Sequence, residues 1–202
     1  MHALKTEKVP ELVEIFDDGS PWERRSHEKN APAIYVTWFV DADGNSPTPK
    51  EFRQVAKSLR NYVLVKDVQK ALEVEKAGHR NPDSLSTADI HSLLKGDTKD
   101  GTTKAEQILT FCFALEGRLN LLPSEVQDKP LKWIISYTGS ARCFSTRQEQ
   151  HETCGAWFPE LFKAVSKTLF ESRFDFHTYP VCFLANEKEA DIAEMVIACI
   201  SD

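Results

Sequence analysis

The stretch TKAEQILTFCFALEGRLNL, residues 103–121, predicts the fold most directly. Thr103 and Glu106 can form a capping box, in which each side chain accepts a hydrogen bond from an otherwise unpaired backbone N–H group. Leu109 and Phe113 then widen an apolar face, and Gly117 marks either an early helix end or a close packing contact. We therefore expect a central helix that is covered on most sides. The apolar residues at helical spacing are Ile108, Phe111, Cys112, Leu115 and Leu119.

The composition indicates a globular protein of a reducing compartment. A length of 202 residues suits a single globular domain over residues 1–202, with residues 1–31 as an N-terminal arm. The hydrophobic content of 41% can build a core without disulfides. The cysteine count of five is odd, and Cys112, Cys182 and Cys199 lie in apolar runs, where cysteine acts as a small buried side chain. Because the chain has neither an apolar leader nor about eighteen consecutive apolar residues, we expect a cytoplasmic protein without a transmembrane segment.

The order of predicted elements favours an α/β or α+β fold that is rich in helix. The run AIYVTWFV, residues 33–40, is continuously apolar and β-branched, as in a strand covered on both faces. The second half alternates strand and helix, which favours parallel strands and a right-handed crossover. We expect a small mixed sheet of three or four strands flanked by about six helices. The predicted order after the central helix is strand 131–137, loop 138–156, helix 157–172, strand 179–185 and helix 187–200.

Four basic residues are spaced along one side of the helix that Pro49 opens. Steps of three and four residues place Lys50, Arg53, Lys57 and Arg60 on a single ribbon, which we call the basic ribbon. This ribbon is the best candidate for binding phosphate or RNA, although a solvated helix face is often rich in lysine as well. A net charge of -6 opposes general attraction to nucleic acid, so any such contact has to be local.

The predicted loop 138–156 carries the residues most suited to chemistry. It follows a strand end, where α/β proteins often bind ligands, and it contains Arg142 and Arg147 as binding candidates. Cys154 is a candidate thiol nucleophile with His151 or His177 as its base, since a helix N-terminus after Gly155 would favour the thiolate. Zinc is the alternative. Its ligands would be Cys143, His151 and Cys154 with His177 or Cys182, but the spacings match no standard zinc motif, and we predict no metal site.

These observations favour a protein that acts by binding rather than by catalysis. We expect a non-enzymatic protein that binds another protein or itself and needs no cofactor. Aromatic and arginine residues near the predicted loop are of the kind that interfaces use. Binding of nucleic acid or a phosphate ligand through residues 50–60, helped by Arg142 and Arg147, is the alternative function. A cysteine-dependent hydrolase that uses the loop 138–156 is the third.

Overall fold

The structure, a computed structural model, describes residues 24–25, 28, 31–79, 82–95, 102–131, 136–153 and 157–189. The chain divides into two compact units. The sheet unit comprises the described parts of Met1–Ser46, Lys132–Gly155 and Phe176–Asp202. The helical unit comprises the described parts of Pro47–Leu131 and Ala156–Asp175. Each unit is therefore assembled from separated segments of the chain. The prediction of an N-terminal arm lies largely outside the described residues.

The sheet unit is built on three strands: β1 (Ala33–Asp41), β2 (Ser136–Ala141) and β3 (Phe174–Phe183), the first two residues of β3 being grouped with the helical unit. The sheet is antiparallel with the order β2-β1-β3, and Ala33 lies opposite Ala141 while Trp38 lies opposite Ser136. All nine residues of β1 are buried, which confirms the prediction of a strand covered on both faces. The helix-rich α/β class is likewise confirmed.

The strands of the second half differ from their predicted positions. β2 is described from Ser136 to Ala141, Leu131 lies in no strand and residues 132–135 lie outside the described chain, while β3 begins at Phe174 rather than at residue 179. The predicted parallel crossover is not formed, because β1 lies between β2 and β3 and pairs with both. β2 extends beyond the predicted end at residue 137 to Ala141, because pairing depends on backbone hydrogen bonds, which the more polar residues 138–141 can also make. Pro180 is tolerated because β3 is an edge strand.

The predicted loop 138–156 is wrong, because its first part belongs to β2 and helix α4 (Phe144–Thr153) follows. The carbonyl of Cys143 accepts the first helical hydrogen bond, from the Arg147 N–H, at 3.1 Å. The sequence FSTRQEQHET has no apolar periodicity, which is why a loop was predicted. Among the described side chains of α4, Phe144 is the buried one, and it packs beside Tyr35, with ring centroids 6.4 Å apart, and close to Ala33 and Ala141.

The helical unit contains α1 (Pro49–Val63), α2 (Val68–Gly78), α3 (Lys104–Asn120) and α5 (Trp157–Phe170). Helix α1 packs against α3 and α5, and α2 packs against α5. Capping boxes start α1, between Thr48 and Glu51, and α3, between Thr103 and Glu106, so the predicted start of α3 is confirmed. Within the described residues, no helix is both long enough and apolar enough to cross a membrane.

The prediction that α3 is covered on most sides is wrong. The helix is amphipathic. One face is buried through Ile108, Cys112, Leu115 and Leu119. Phe113, which the apolar run suggested as part of the core, lies on the opposite face and is 81% exposed. Because α3 packs mainly against α1, one face suffices to bury it. Gly117 neither ends the helix nor marks a close contact: it lies inside the helix, and no atom of the described chain comes within 4 Å of a Cβ built there.

Ser86 and Asp89 form a capping box at the three-residue 3-10 turn Thr87–Asp89. The predicted helix 187–200 is described only over the 3-10 turn Glu187–Glu189; residues 190–202 lie outside the described chain.

Candidate functional site

The outer face of α3 carries the candidate interaction surface. We define this outer face by Thr110, Phe113, Ala114, Gly117 and Leu121, all of which are exposed. Steps of three and four residues along a helix place these side chains on one side, opposite the buried face. Leu121 follows the last helical residue in a right-handed conformation, with φ −81° and ψ −9°, so it continues the same line. Phe113 and Leu121 are 81% and 85% exposed.

Two of the four residues of the basic ribbon form hydrogen bonds or ion pairs that hold the helical unit together. Arg53 donates a hydrogen bond to the Leu119 carbonyl at 2.8 Å and another to the Gln127 side chain. Arg60 forms an ion pair with Glu116 of α3. These two arginines therefore hold α1 against α3 and the turn that follows it. The remaining two members of the ribbon are exposed: Lys57, and Lys50, which pairs with Asp128 at 3.5 Å.

The two predicted arginines of the former loop belong to the sheet unit. Arg147, on α4, donates a hydrogen bond from Nε to the Tyr35 hydroxyl at 3.1 Å. This contact joins α4 to β1. Arg142 lies between β2 and α4 and is exposed. Of the six basic binding candidates, the structure brings four together on α1 and places the other two on either side of Cys143 in the chain.

The predicted nucleophile and base lie mostly outside the described residues. Cys154 is outside them, and only the backbone of His151, within α4, is described. His177 stacks on Tyr179, with ring centroids 6.4 Å apart, and Cys182 is half-buried. In the part of the chain that the structure describes, no group of three or more histidine, cysteine, aspartate or glutamate side chains is arranged to hold a metal ion.

Cys143 is a thiol with altered chemistry at the start of α4. Its sulfur lies 3.3 Å from both the Ser145 and the Thr146 hydroxyl oxygens. Hydrogen bonds from Ser145 and Thr146 lower the pKa of Cys143 to about 7. Burial instead raises the pKa of Cys182 and, to about 11, that of Cys112. The sequence predicts an activated thiol before a helix at Cys154, which lies outside the described residues. Among the described cysteines, Cys143 has this position and the lowered pKa.

A polar cluster around Glu75 was not predicted from the sequence. The Glu75 carboxylate on α2 is 0% exposed and accepts hydrogen bonds from Tyr62 on one oxygen and from Ser92 on the other. His79 Nε2 lies 2.7 Å from the Ser92 hydroxyl oxygen and 3.4 Å from Glu75 Oε2. Burial and the neighbouring Glu75 carboxylate raise the pKa of Tyr62. We call these residues, with His91, the Glu75 cluster.

The serine, histidine and glutamate of this cluster do not form a catalytic triad. In a triad the serine and the carboxylate bind opposite nitrogens of the imidazole ring, so that the carboxylate orients the ring. Here Ser92 and Glu75 both face Nε2 of His79, and Ser92 donates directly to Glu75. The arrangement is that of a structural hydrogen-bond network that satisfies a buried carboxylate.

Comparison with known proteins identifies no relative: no protein-family model, no curated protein and no solved structure matches this chain.

Proposed function

We propose that the protein acts by binding another protein through the outer face of α3. The observation that carries this proposal is the exposure of Phe113 and Leu121 on the same side of one helix, with Gly117 between them. Exposed apolar side chains are common singly, but here Phe113 and Leu121 lie on the same side of one helix, with the exposed Ala114 and Gly117 between them. Helices with such a face are recognised in apolar grooves of partner proteins.

Two unfavourable residue choices coincide on this face. A glycine inside an exposed helix costs about 1 kcal/mol relative to alanine. Leaving a phenylalanine or leucine in water forgoes roughly 1.5–3 kcal/mol of burial for each side chain. Neither choice improves the packing of the described chain. A Cβ built at Gly117 would meet no neighbouring segment within 4 Å, and the Phe113 and Leu121 side chains are exposed. Both become favourable when a partner packs on the face, with its chain lying close to Gly117.

Site-specific photo-crosslinking tests the proposal directly. A photoreactive phenylalanine analogue at position 113 is expected to give a discrete adduct in cells that produce the protein. Leu121→Gln in the same chain should lower the yield of that adduct at least about tenfold, because the partner loses the affinity that burial of one leucine provides. Phe113→Gln and Leu121→Gln should leave the free energy of unfolding within about 0.5 kcal/mol, because both side chains are exposed.

The matched control places the same analogue at Leu169, which is 38% exposed on α5 of the same unit. An adduct that forms equally at positions 113 and 169, or that persists in the Leu121→Gln variant, would contradict binding through the outer face of α3. Mass analysis of the adduct separates a second copy of the chain from a different protein.

Nucleic-acid binding by the basic ribbon has less support. Arg53 and Arg60 are engaged with α3 and its following turn, so they would have to leave those partners to contact phosphate. Salt-dependent binding that is lost on Lys50→Gln and Lys57→Gln, while Phe113→Gln leaves it intact, would favour this alternative over protein binding.

A further inference from the structure

Residues 82–95 form a segment with little burial of its own, which we call the strap. It consists of three short 3-10 turns, Pro82–Ser84, Thr87–Asp89 and Ser92–Leu94, and none of its residues is fully buried. All three turns pack against α2, and the last also packs against α5. Segments with few buried apolar contacts open at lower free energy than the helices beside them.

The Glu75 cluster joins the strap to the helices. Ser92 of the strap and Tyr62 of α1 donate to the two oxygens of the buried Glu75 carboxylate. His79, whose side chain is 36% exposed, lies 2.7 Å from the Ser92 hydroxyl oxygen. His91 Nε2 lies 2.7 Å from the Tyr62 carbonyl oxygen. His91 and Ser92 thus attach the strap to α1 and α2, and Lys104 of α3 donates a further hydrogen bond to the Lys95 carbonyl at the end of the strap.

The closed position places the backbone of the strap under strain at this attachment. His91 has a φ of 70°, a left-handed conformation that is disfavoured for a residue with a Cβ. The hydrogen bonds of His91 and Ser92 and the packing of the His91 ring on Tyr62 offset the cost of this conformation. Release of the strap would relieve the strain, and water could then satisfy the freed polar atoms.

Leu93, in the 3-10 turn Ser92–Leu94, packs into a recess at Gly78, which we call the Gly78 recess. A Cβ built at Gly78 would lie 3.1 Å from Leu93 Cδ1 and 3.2 Å from the Ala164 Cβ. Leu93 therefore occupies the space that a side chain at the end of α2 would need. Both distances are shorter than ordinary contacts, so an alanine at position 78 would require Leu93 to shift away from the end of α2.

From these contacts we propose that the strap is a detachable lid, which opens while the helices stay folded and uncovers the Glu75 carboxylate and the Gly78 recess. The hydrogen bond from Ser92 to Glu75 and the fit of Leu93 against Gly78 hold it closed. Opening turns a carboxylate and a tyrosine hydroxyl, next to an apolar recess, toward solvent. This device lies apart from the outer face of α3 and does not depend on the function proposed for that face.

Amide hydrogen exchange on the full chain tests the lid. The reporting amides are Asp89, Leu94 and Lys95, whose N–H groups bond within the strap at 3.0–3.2 Å. In the wild-type protein they are expected to exchange faster than the amides of α1 and α3. Ser92→Ala should accelerate exchange of these amides at least about tenfold, because the lost hydrogen bond to the Glu75 carboxylate no longer opposes opening of the strap. Exchange of the α1 and α3 amides should not change. The matched control is Ser124→Ala, since Ser124 also begins a 3-10 turn in the same unit.

A second pair of variants tests the recess. Gly78→Ala should also accelerate strap exchange, because its Cβ presses on Leu93, whereas Gly117→Ala adds the same atom in open space and should leave strap exchange unchanged. Strap amides that exchange as slowly as those of α1 and α3 would overturn the proposal. So would a Ser92→Ala variant that leaves strap exchange unchanged or accelerates strap and helices together.

Discussion

At the scale of single residues, Cys143 illustrates how neighbouring hydroxyl groups change the reactivity of a side chain. The thiolate is the reactive form of cysteine, so a lowered pKa increases the reactive fraction at neutral pH. Two hydroxyl contacts at 3.3 Å and the start of α4 stabilise the negative charge. Cys112 and Cys182 lack this environment, and burial raises the pKa of both.

We therefore predict selective alkylation of Cys143. At pH 7.5 iodoacetamide should modify Cys143 at least about ten times faster than Cys112 and Cys182, as measured for each site by mass spectrometry. The rate at Cys143 should rise with pH through a midpoint of about 7. Thr146→Val removes a hydrogen-bond donor and should move that midpoint upward, while Ser136→Ala, in β2, serves as the control. A midpoint near that of an ordinary thiol in the wild-type protein would show that these hydrogen bonds do not stabilise the thiolate.

At the scale of elements, two glycines in regular structure have opposite consequences. Gly139 lies in β2 opposite Tyr35 of β1, and a Cβ built there would meet the Tyr35 hydroxyl oxygen at 2.5 Å and Cζ at 2.7 Å. The Tyr35 ring therefore lies across residue 139, where its hydroxyl also accepts from Arg147. Gly117 of α3 has no such neighbour among the described residues. One glycine is required by packing, and the other is not.

Alanine at these two positions should change stability in opposite directions. Gly139→Ala forces the buried Tyr35 ring to shift and should lower the free energy of unfolding by roughly 1–3 kcal/mol. Gly117→Ala should raise it by about 1 kcal/mol through helix propensity. Chemical denaturation of both variants measures the two values. Tyr35→Phe in the Gly139→Ala background removes the nearest atom and should recover part of the loss. Equal effects of the two alanines would contradict this account.

Periodicity explains which elements could be predicted. The apolar spacing of α1, α2, α3 and α5 and the unbroken apolar run of β1 are set within single segments, so the sequence indicates them. Among its described side chains, helix α4 is anchored by Phe144 and by the hydrogen bond of Arg147 to Tyr35, and β2 depends on the backbone edge of β1. Neither element has an apolar pattern of its own. The Glu75 cluster joins residues that are 13 and 17 positions apart, and such contacts follow from the packing of separate elements.

The spacing of residues in α3 indicates which side chains lie opposite its buried face. Phe113 lies opposite the face of Ile108, Cys112, Leu115 and Leu119 on a helical projection. The apolar residues in the middle of the helix nevertheless predict that Phe113 belongs to the core. What the sequence could not indicate is that α3 is covered on one face only, since this depends on which helices pack against it.

At the scale of the whole molecule, buried acidic groups couple stability to pH. Burial raises the pKa of the Cys112 thiol to about 11, with the Glu116 carboxylate adding to the rise and Arg60 opposing it. The unfolded chain releases this proton near pH 9, the ordinary value for the thiol. The folded state therefore binds more protons than the unfolded state between pH 9 and 11, so its stability falls as the pH rises.

This difference predicts a measurable loss of stability in alkali. Between pH 8 and 10 the Cys112 thiol should account for about 1 kcal/mol of the decrease in the free energy of unfolding. Cys112→Ala should remove that share, although the variant starts less stable because the buried sulfur is lost. Tyr62, whose pKa is also raised, should add a further decrease above about pH 10 that Tyr62→Phe removes.

Chemical denaturation at pH 8, 9 and 10 checks this prediction, with Gly117→Ala as the control. That variant changes stability but no titrating group, so its decrease between pH 8 and 10 should equal that of the wild-type protein. Cys143 is present in every variant and cancels in the comparison. A Cys112→Ala protein that loses as much stability as the wild type over this range would show that Cys112 titrates alike in the folded and unfolded states. The thiol would then have to reach solvent from the folded α3, contrary to its complete burial against α1.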